Sequence, residues 1–342
     1  MTGIDLYDGI TLHQGDCRDI MRELPAEHFD AVITDPPYGI TFMGEKWDTT
    51  TPHGFQSWAQ SWGEEALRVI KPGGYLLAFS APRTYHRLTS GLEDAGLKAR
   101  DTMAWIFTDR KPAAADLASM LDREASVLDQ REGHTIEQFD TSNSTTNISN
   151  YKLQTSSDPI TNEAKAREGL DTSLKPSCEH IVVALHPIKD RLVNNVRTHG
   201  TSAMNIPAGM DTVNGLYPPN PLTANQPMAT AAQQSTPDHM WPVFQYIPKA
   251  PKREHPIMRG VQHITVKPLE LMRYLIRLVM RPGALILEPF AGSETTLQAT
   301  AMENTRAIGC ELNDRYIPLI KARFAQGIEA PPDLFGMGDD TA

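Results

Sequence analysis

The stretch that organises the chain is Asp30-Ala-Val-Ile-Thr-Asp-Pro-Pro-Tyr-Gly39. The apolar run at 31–33 is typical of a buried strand in a parallel sheet. Pro36 and Pro37 cannot donate backbone hydrogen bonds, so the strand is expected to end at Asp35. Open α/β sheets bind their ligands beyond the carboxyl ends of the strands, and this turn is therefore the first candidate site.

The residues after this strand suit chemistry on an exocyclic amino group. The lone pair of such a nitrogen is delocalised into the base ring, which makes it a poor nucleophile. Asp35 and the Pro36 carbonyl can accept both amino hydrogens, which favours a tetrahedral nitrogen that attacks an electrophilic methyl group. Tyr38 can stack on a base drawn out of a duplex. A stiff turn without chemistry is the alternative, and the motif alone leaves both interpretations open.

Composition bounds the class of protein. With 342 residues, 40% of them hydrophobic, the chain can form one large α/β domain with an insertion, or two domains. The first residues lack the basic segment and the apolar segment of a secretory signal peptide. The longest apolar runs are far too short to span a bilayer. The three cysteines are isolated and lack metal-ligand spacing. These features predict a protein of the reducing cytoplasm.

The charge distribution is uneven. A net charge of -10 counts against a simple nucleic-acid binder, because phosphate contacts need lysine and arginine. Basic residues nevertheless crowd the stretch 249–281, where acids are few. A solvated helix face explains the later ones but explains the proline-rich start poorly. Lys249, Lys252 and Arg253 are therefore the candidate nucleic-acid contacts.

Strands and helices are predicted over much of the chain. The predicted strands, besides the one before Asp35, lie at 10–15, 75–80, 101–108, 180–185, 284–287 and 306–310. The predicted helices follow Asp16, precede Ile70, cover 83–95, and begin at Pro268 and at about Ser293. The turn Lys71-Pro-Gly-Gly separates a helix from a strand. The hydrophobic pattern weakens over 109–175 and 205–256, and the first of these is expected to be a partly flexible functional insertion.

The last regular stretch, 284–311, predicts a nucleoside-binding unit of strand, glycine turn, helix and strand. Gly292 permits close approach of the backbone to a cofactor, and Glu311 can bind both ribose hydroxyls. A phosphate site is not predicted, because no Gly-x-Gly-x-x-Gly is present and the run at 39–46 departs from the P-loop pattern.

Four stretches together resemble the β-class DNA amino-methyltransferases, which act on adenine N6 or cytosine N4 and use S-adenosyl-L-methionine. The stretches are Gln14-Gly-Asp-Cys17, Asp35-Pro-Pro-Tyr38, His263-Ile-Thr-Val-Lys-Pro268 and Leu287-Glu-Pro-Phe-Ala-Gly-Ser293. Lys71-Pro-Gly-Gly, Lys175-Pro-Ser-Cys-Glu179 and Glu311 with Tyr316 also fit. Each motif is weak alone, but their order along the chain makes a chance match improbable.

The resemblance implies an α/β fold: a Rossmann-like, seven-stranded S-adenosylmethionine-dependent methyltransferase sheet in circularly permuted order. Residues 1–108 would form the catalytic half and 261–326 the cofactor-binding half. Target-recognition segments would be inserted at 109–260, with a core strand returning near 180–186, and 327–342 would be an acidic tail.

The resemblance also implies residue roles. The target amine would be held by Asp35, Pro36, Pro37 and Tyr38. Asp16, with Cys17 beside it, would face the cofactor adenine, and Glu311 would bind the ribose. The remaining cofactor contacts would be Thr265 and Lys267 at the methionine carboxylate, and Phe290, Ala291, Gly292 and Ser293 around the methionine.

Two residues depart from the family pattern. Glu294 stands where the family usually has glycine, and Ile264 stands where it usually has proline. A negative charge is favoured in the first turn of a helix, so Glu294 is interpreted first as a tolerated variant. The other interpretation is that it crowds or repels the methionine carboxylate, which would weaken cofactor binding or admit another ligand.

The leading hypothesis is direct methyl transfer to adenine N6 in double-stranded DNA, in a restriction–modification or phage setting. No Pro-Cys dipeptide supplies the nucleophile that cytosine-C5 chemistry needs. Cytosine N4 is the nearest alternative, although Asp35 favours adenine because cytosine-N4 relatives often carry serine there. A protein-glutamine methyltransferase would usually have asparagine at this position. A catalytically weakened DNA-binding relative and a small-molecule or RNA methyltransferase also stay open, as do a homodimer and a cognate restriction endonuclease as partners.

Overall fold

The structure is a computed structural model, and it describes residues 3–40, 51–107, 116–127, 129, 133–139, 151–174, 177–209, 218–234, 244–251, 254, 257–258, 261–262, 266–325 and 328. Four residues singled out in the sequence, Lys252, Arg253, Ile264 and Thr265, lie outside the described residues. So does the acidic tail predicted at 327–342, apart from residue 328.

The described chain contains fourteen strands and eleven helices. The strands are β1 (Ile4–Tyr7), β2 (Ile10–Gln14), β3 (Phe29–Thr34), β4 (Ile70–Ser80), β5 (Lys98–Ile106), β6 (Gly133–Phe139), β7 (Tyr151–Ser157), β8 (Cys178–Leu185), β9 (Pro221–Thr223), β10 (Gln245–Tyr246), β11 (Ile257–Met258), β12 (Val261–Gln262), β13 (Leu285–Glu288) and β14 (Arg306–Glu311). The helices are α1 (Cys17–Glu23), α2 (Pro52–Val69), α3 (Tyr85–Asp94), α4 (Leu117–Glu124), α5 (Asn162–Lys165), α6 (Leu192–His199), α7 (Ile206–Gly209), α8 (Gln226–Gln234), α9 (Leu269–Val279), α10 (Thr295–Met302) and α11 (Ile317–Ala325).

Ten of the described strands form one sheet in the order β1-β2-β14-β13-β3-β4-β8-β5-β9-β10. Strands β2, β14, β13, β3 and β4 are parallel, whereas β8 runs antiparallel to both of its neighbours, β4 and β5. The C-terminal strands β13 and β14 thus lie between the N-terminal strands β2 and β3. The sheet therefore brings the two ends of the described chain together at its centre.

The described sheet contains ten strands, three more than the seven expected. Strand β1 adds antiparallel to β2 at one edge, and β9 and β10 extend the other edge beyond β5. Strands β9 and β10 contain three and two residues, respectively. A strand this short shows no alternation in its sequence, so the polar stretch 205–256 gave no sign of it.

Strand β3 is buried along its whole length, which confirms the prediction of a buried parallel strand. From Ala31 onward its side chains alternate between two hydrophobic clusters, because successive residues of a strand point to opposite faces. Ala31 and Ile33 pack with helices α9, α10 and α11, whereas Phe29 and Val32 pack with α1, α2 and α3. The sheet is therefore covered by helices on both faces.

The predicted turn at Lys71-Pro-Gly-Gly lies inside β4 instead of before it. Residue pairing with β3 shifts at this point, from Phe29 opposite Ile70 to Ala31 opposite Tyr75, so the extra residues form a bulge. Gly73 has a φ of +77° within the bulge. The positive φ explains why a turn-like sequence occurs within a strand.

The insertion at 109–175 contains regular elements in its described part. Helices α4 and α5 are joined by the buried Asp122, whose carboxylate accepts hydrogen bonds from the backbone N–H of Ile160 at 2.8 Å and the hydroxyl of Thr161 at 2.8 Å. Strands β6 and β7 pair antiparallel. A polar link of this kind leaves little hydrophobic periodicity in the sequence.

Among the described helices, none has the length and apolar character that crossing a membrane requires.

Candidate active site

The candidate site lies at the carboxyl edge of the parallel strands. Asp35 follows the last residue of β3. Glu179 is the second residue of β8, and the antiparallel course of β8 brings its first residues to this same edge. Lys267 immediately precedes Pro268, the N-cap of α9. Three distant parts of the chain therefore contribute charged side chains to one place.

Two donors and two carboxylates form a compact cluster there. The Lys267 Nζ donates to Asp35 Oδ2 at 2.5 Å and lies 3.4 Å from Glu179 Oε2. The Tyr38 hydroxyl lies 2.9 Å from Asp35 Oδ1 and 3.3 Å from Glu179 Oε2. Lys267 and Glu179 are buried, whereas the Asp35 side chain retains 21% of its exposure. Asp35 is thus the carboxylate of the cluster that faces solvent most openly.

The cluster keeps both donors protonated. Burial alone would lower the pKa of Lys267, but the Asp35 and Glu179 carboxylates outweigh burial and raise the pKa above its usual value. Burial, and then the same two carboxylates, raise the pKa of Tyr38 well above its usual range. Lys267 is therefore a cation and Tyr38 a neutral hydroxyl at physiological pH.

The structure brings together the predicted residues Asp35, Tyr38 and Lys267. Lys267 contacts Asp35 here, and its expected contact with a methionine carboxylate stays a prediction, as does stacking of Tyr38 on a base. Glu179 had appeared only within a matching stretch, without a role. The available signal was an acid at the start of a strand, which reaches this edge only because β8 is antiparallel.

The turn after β13 is linked to the end of β3. The Thr34 hydroxyl and the Phe290 N–H both donate to Oε1 of the buried Glu288, the latter at 3.0 Å. Burial raises the pKa of Glu288 to about 7. Pairing of Ile286 with Ala31 places β13 directly beside β3. The predicted cofactor turn and the Asp35 turn are therefore neighbours on one sheet edge.

Glu311 ends β14 and holds the predicted cofactor turn from the other side. Its Oε2 accepts the Gly292 N–H at 2.7 Å, and its Oε1 accepts the Asn313 N–H at 2.6 Å. Burial raises the pKa of Glu311. A carboxylate has about four acceptor sites, more than its backbone donors occupy, so the acid can still accept a hydroxyl group such as one of a ribose. Gly292 adopts a φ of +54°, which residues other than glycine rarely adopt.

Three other predicted cofactor residues, Phe290, Ala291 and Ser293, belong to this same turn. The Ala291 N–H donates to the Cys310 carbonyl at 2.8 Å, and the Ser293 carbonyl accepts from Arg323 Nη1 at 2.8 Å. The Phe290 ring lies 5.5 Å from the ring centroids of both Trp58 and Trp62. The described turn is therefore fixed by backbone and aromatic contacts before any ligand binds.

Asp16 caps helix α1, as its position in the sequence allows. Its carboxylate accepts the Arg18 N–H at 2.9 Å and pairs with the Arg18 guanidinium, which lowers the pKa of Asp16. Burial raises the pKa of the neighbouring Cys17 thiol to about 12. The Gly15 N–H donates to the Glu311 carbonyl at 2.9 Å, so this turn adjoins Glu311. A contact with a cofactor adenine stays a prediction.

Glu294 adopts a conformation that suits glycine. Its φ is +69°, and its side chain is fully buried at the N-cap of α10. Neither carboxylate oxygen has a hydrogen-bond partner among the described residues. Burial raises the pKa of Glu294 far above its usual value, although Arg323 opposes this shift. Because burial disfavours the charged form, the helix-dipole stabilisation expected for a charged Glu294 is diminished.

The basic stretch is described only in part. The Lys249 Nζ lies 4.9 Å from the centroid of the Phe107 ring, a cation–π contact at the edge of the sheet. Its role in binding nucleic acid stays a prediction.

A further open space of about 400 Å³ lies beside Gly39, which follows Tyr38. Its described lining includes three basic side chains, those of Arg83, His86 and Arg87. The space adjoins the Asp35 turn and has no acidic side chain among its described lining residues.

Comparison with known proteins identifies the family. A DNA methylase family model matches residues 29–322. The type II methyltransferase M.HindIII of Haemophilus influenzae is 26% identical over 314 residues, which cover 91% of this chain and 82% of the relative. M.BamHI of Bacillus amyloliquefaciens is 30% identical over 102 residues, 29% of this chain and 23% of the relative. The PvuII DNA methyltransferase (cytosine-N4-specific) superposes with a TM-score of 0.52 at 13% identity over 93% of this chain and 90% of that structure, which shows the shared fold. Because the family model covers most of its length, the chain belongs to the N6/N4 DNA methylase family.

Proposed function

We propose that the chain is a site-specific DNA methyltransferase that transfers a methyl group from S-adenosyl-L-methionine to adenine N6 of a flipped base. The observation that carries the proposal is the position of Asp35. Its carboxylate stands at the end of β3, directly beside the Gly292 turn at the end of β13. An amine acceptor and a cofactor turn on neighbouring strands are the arrangement that direct transfer requires.

The residues of the Asp35 turn activate the amine. The Asp35 carboxylate and the Pro36 carbonyl accept its two hydrogens, which localises the lone pair on nitrogen. When bound, the cofactor supplies an electrophilic methyl group: the N–C bond forms as the C–S bond breaks, and its electron pair leaves with sulfur. The nitrogen becomes cationic and then loses a proton, which the partly exposed Asp35 carboxylate takes up and passes to solvent.

The residues of the neighbouring turns fit the cofactor. The Glu311 carboxylate can still accept a ribose hydroxyl while its backbone donors hold it in place. Gly292 lets the backbone approach the bound molecule closely, and Asp16 lies at the turn that adjoins Glu311. These residues bind and orient the methyl donor, and the contact with Trp58 holds the Phe290 ring of the same turn in place.

Basic side chains near the site support DNA as the substrate, despite the net charge of -10. Arg83 is exposed and Arg87 half-buried, at the start of α3 beside the Gly39 space. Their guanidinium groups suit contacts with the phosphates that flank a flipped nucleotide. The predicted contacts at 249–253 would extend this basic surface along the substrate.

Adenine is favoured over cytosine by the aspartate at position 35. The test is methylation of unmodified DNA by the purified chain with S-adenosyl-L-methionine, followed by mass spectrometry of the nucleosides. N6-methyladenine is the expected product. N4-methylcytosine as the product would mean that cytosine is the target base and that the transfer mechanism is unchanged. This is the alternative function. Absence of both products with folded, cofactor-binding protein would contradict the proposal and favour a DNA-binding relative without activity.

A further inference from the structure

Glu179 is a buried acid of the site for which the mechanism above has no use. Its Oε2 lies within reach of both cluster donors, 3.3 Å from the Tyr38 hydroxyl and 3.4 Å from Lys267 Nζ. Both donors also contact Asp35, at 2.9 Å and 2.5 Å. Each donor therefore faces two acceptors, and in this structure both lie closer to Asp35.

This arrangement conflicts with the task of Asp35. One of its oxygens already accepts the Tyr38 hydroxyl and the other the Lys267 ammonium, so the target amine must share an oxygen with one of these donors or displace it. A buried ammonium or hydroxyl that loses its acceptor is costly, because no water replaces the lost bond. Without a second acceptor, Lys267 and Tyr38 would stay bound to Asp35 and compete with the amine for its oxygens.

We propose that Glu179 is a positioning residue for methyl transfer, which takes over Lys267 and Tyr38 as Asp35 turns to the target amine. The inference rests on the proposed function, since it assumes that Asp35 accepts the amine hydrogens. Only small side-chain movements are needed, because both donor atoms already lie beside Glu179 Oε2. The position of the buried Glu179 near the start of strand β8 fixes this second acceptor at the carboxyl edge of the sheet.

The charge of Glu179 adds a second effect. Counted at their formal charges, the two carboxylates and the Lys267 ammonium give the cluster a net charge of about −1. The amine nitrogen becomes positive as the N–C bond forms. A preorganised negative cluster stabilises that charge more in the transition state than in the ground state. Glu179 is therefore expected to act on the rate of transfer and not on binding.

The test is the single-turnover rate of methyl transfer by the full chain, at saturating S-adenosyl-L-methionine and DNA. Glu179→Gln keeps the shape and one acceptor but removes the charge, and Glu179→Asp keeps the charge. The amide variant is expected to be slower by about 100-fold, in line with the loss of one preorganised electrostatic group. Its dissociation constants for cofactor and DNA should stay within about threefold of wild type, because Glu179 is assigned no contact with either ligand. Glu179→Asp should be faster than Glu179→Gln.

A matched control distinguishes an effect of Glu179 on methyl transfer from the loss of stability that follows when any buried acid is replaced. Glu303 is another largely buried acid, paired with Arg273 at 2.6 Å and Arg277 at 2.7 Å on helix α9, away from Asp35. Glu303→Gln should lower the melting temperature and leave the transfer rate of the folded protein unchanged. If Glu179→Gln also lowers only the melting temperature, Glu179 is structural and the inference is overturned.

The pairing with Tyr38 provides an independent measurement if the glutamine variant folds poorly. Tyr38→Phe removes one of the two donors that Glu179 is proposed to receive. In a double-mutant cycle with Glu179→Asp, the combined rate loss should be smaller than the product of the single losses. Independent losses would overturn the inference. Asp35→Asn is measured alongside: wild-type transfer by that variant would refute the proposed function itself, whereas an inactive Asp35→Asn beside a fully active Glu179→Gln would refute the inference alone.

Discussion

The Glu311 carboxylate accepts the backbone N–H of Gly292 at 2.7 Å, so an acid at the end of β14 fixes the turn that follows β13. Its second oxygen accepts the Asn313 N–H. The carboxylate is thus matched to two donors from two different turns. An amide would present its own N–H₂ group to one of them.

Glu311→Gln should therefore weaken cofactor binding. The mismatch of donors disturbs the Gly292 turn and is expected to lower the free energy of unfolding by about 1–3 kcal/mol. The dissociation constant for S-adenosyl-L-methionine, measured by calorimetry, should rise at least about tenfold, which corresponds to about 1.4 kcal/mol. Asp314→Asn alters an exposed acid nearby and should change neither quantity. Unaltered cofactor affinity in Glu311→Gln would remove Glu311 from the cofactor site.

Glu294→Gly should stabilise the fold. The substitution relieves a φ of +69° and removes a buried carboxyl that has no hydrogen-bond partner among the described residues. The gain in the free energy of unfolding, measured with denaturant, is expected to be about 1 kcal/mol or more. Cofactor affinity should be equal or higher.

Glu294→Ala provides the matched comparison, because it removes the carboxyl and keeps the Cβ at a positive φ. It should gain less stability than Glu294→Gly. A large loss of cofactor affinity in the glycine variant would show instead that Glu294 makes a contact that binding needs.

Glu288 should make the stability of the protein depend on pH. Burial raises the pKa of Glu288 from 4.5 to about 7, so between these values the folded state binds more protons than the unfolded state. Stability from this group is complete below pH 4.5 and is lost as the pH rises through about 7, by about 3 kcal/mol in total.

Glu288→Gln mimics the neutral acid and keeps an acceptor for Thr34 and Phe290. Its unfolding free energy should be close to that of wild type at pH 5 and higher at pH 8. Glu294 and Glu311, whose pKa values are also raised, contribute equally to both proteins. A difference between the two proteins that does not change with pH would contradict the assignment of a raised pKa to Glu288.

Arg87→Ala, alone and together with Arg83→Ala, should weaken DNA binding. Each guanidinium that contacts a phosphate contributes a slope of about −0.9 to the dependence of log affinity on log salt. The double variant should therefore have a shallower slope in a fluorescence-anisotropy titration. Lys98→Ala makes the same change of charge at the start of β5, on the opposite edge of the sheet, and should leave the slope unchanged. A double variant with the same slope as wild type would place the DNA surface elsewhere.

The regular parts of the fold were predictable from local sequence. Apolar runs predicted strands β3, β8, β13 and β14 to within a few residues, because buried strands contain little else. The proline and glycine residues that follow β3 and β13 placed Asp35 and Gly292 in the turns after these strands. In both places the apolar run that predicts the strand and the polar or glycine residues that predict the site lie in one short stretch of sequence.

The partnerships within the site were not predictable in this way. Glu179 and Lys267 meet Asp35 only because β8 is antiparallel and α9 begins at the same edge, which no local pattern encodes. The burial of Glu294 is a property of its packed surroundings, and its position at a helix start suggested instead a charge stabilised by the helix dipole. Short strands such as β9 escape detection because their pairing partners, and not their residues, define them.

The most direct test of the account is single-molecule sequencing of DNA from cells that express the chain, beside cells that express Asp35→Ala. The account predicts N6-methyladenine at one short sequence motif in the first culture and its absence in the second, with cofactor binding by the purified variant retained. An adenine mark that persists in the Asp35→Ala culture, or no mark from a wild-type chain that binds its cofactor, would contradict it.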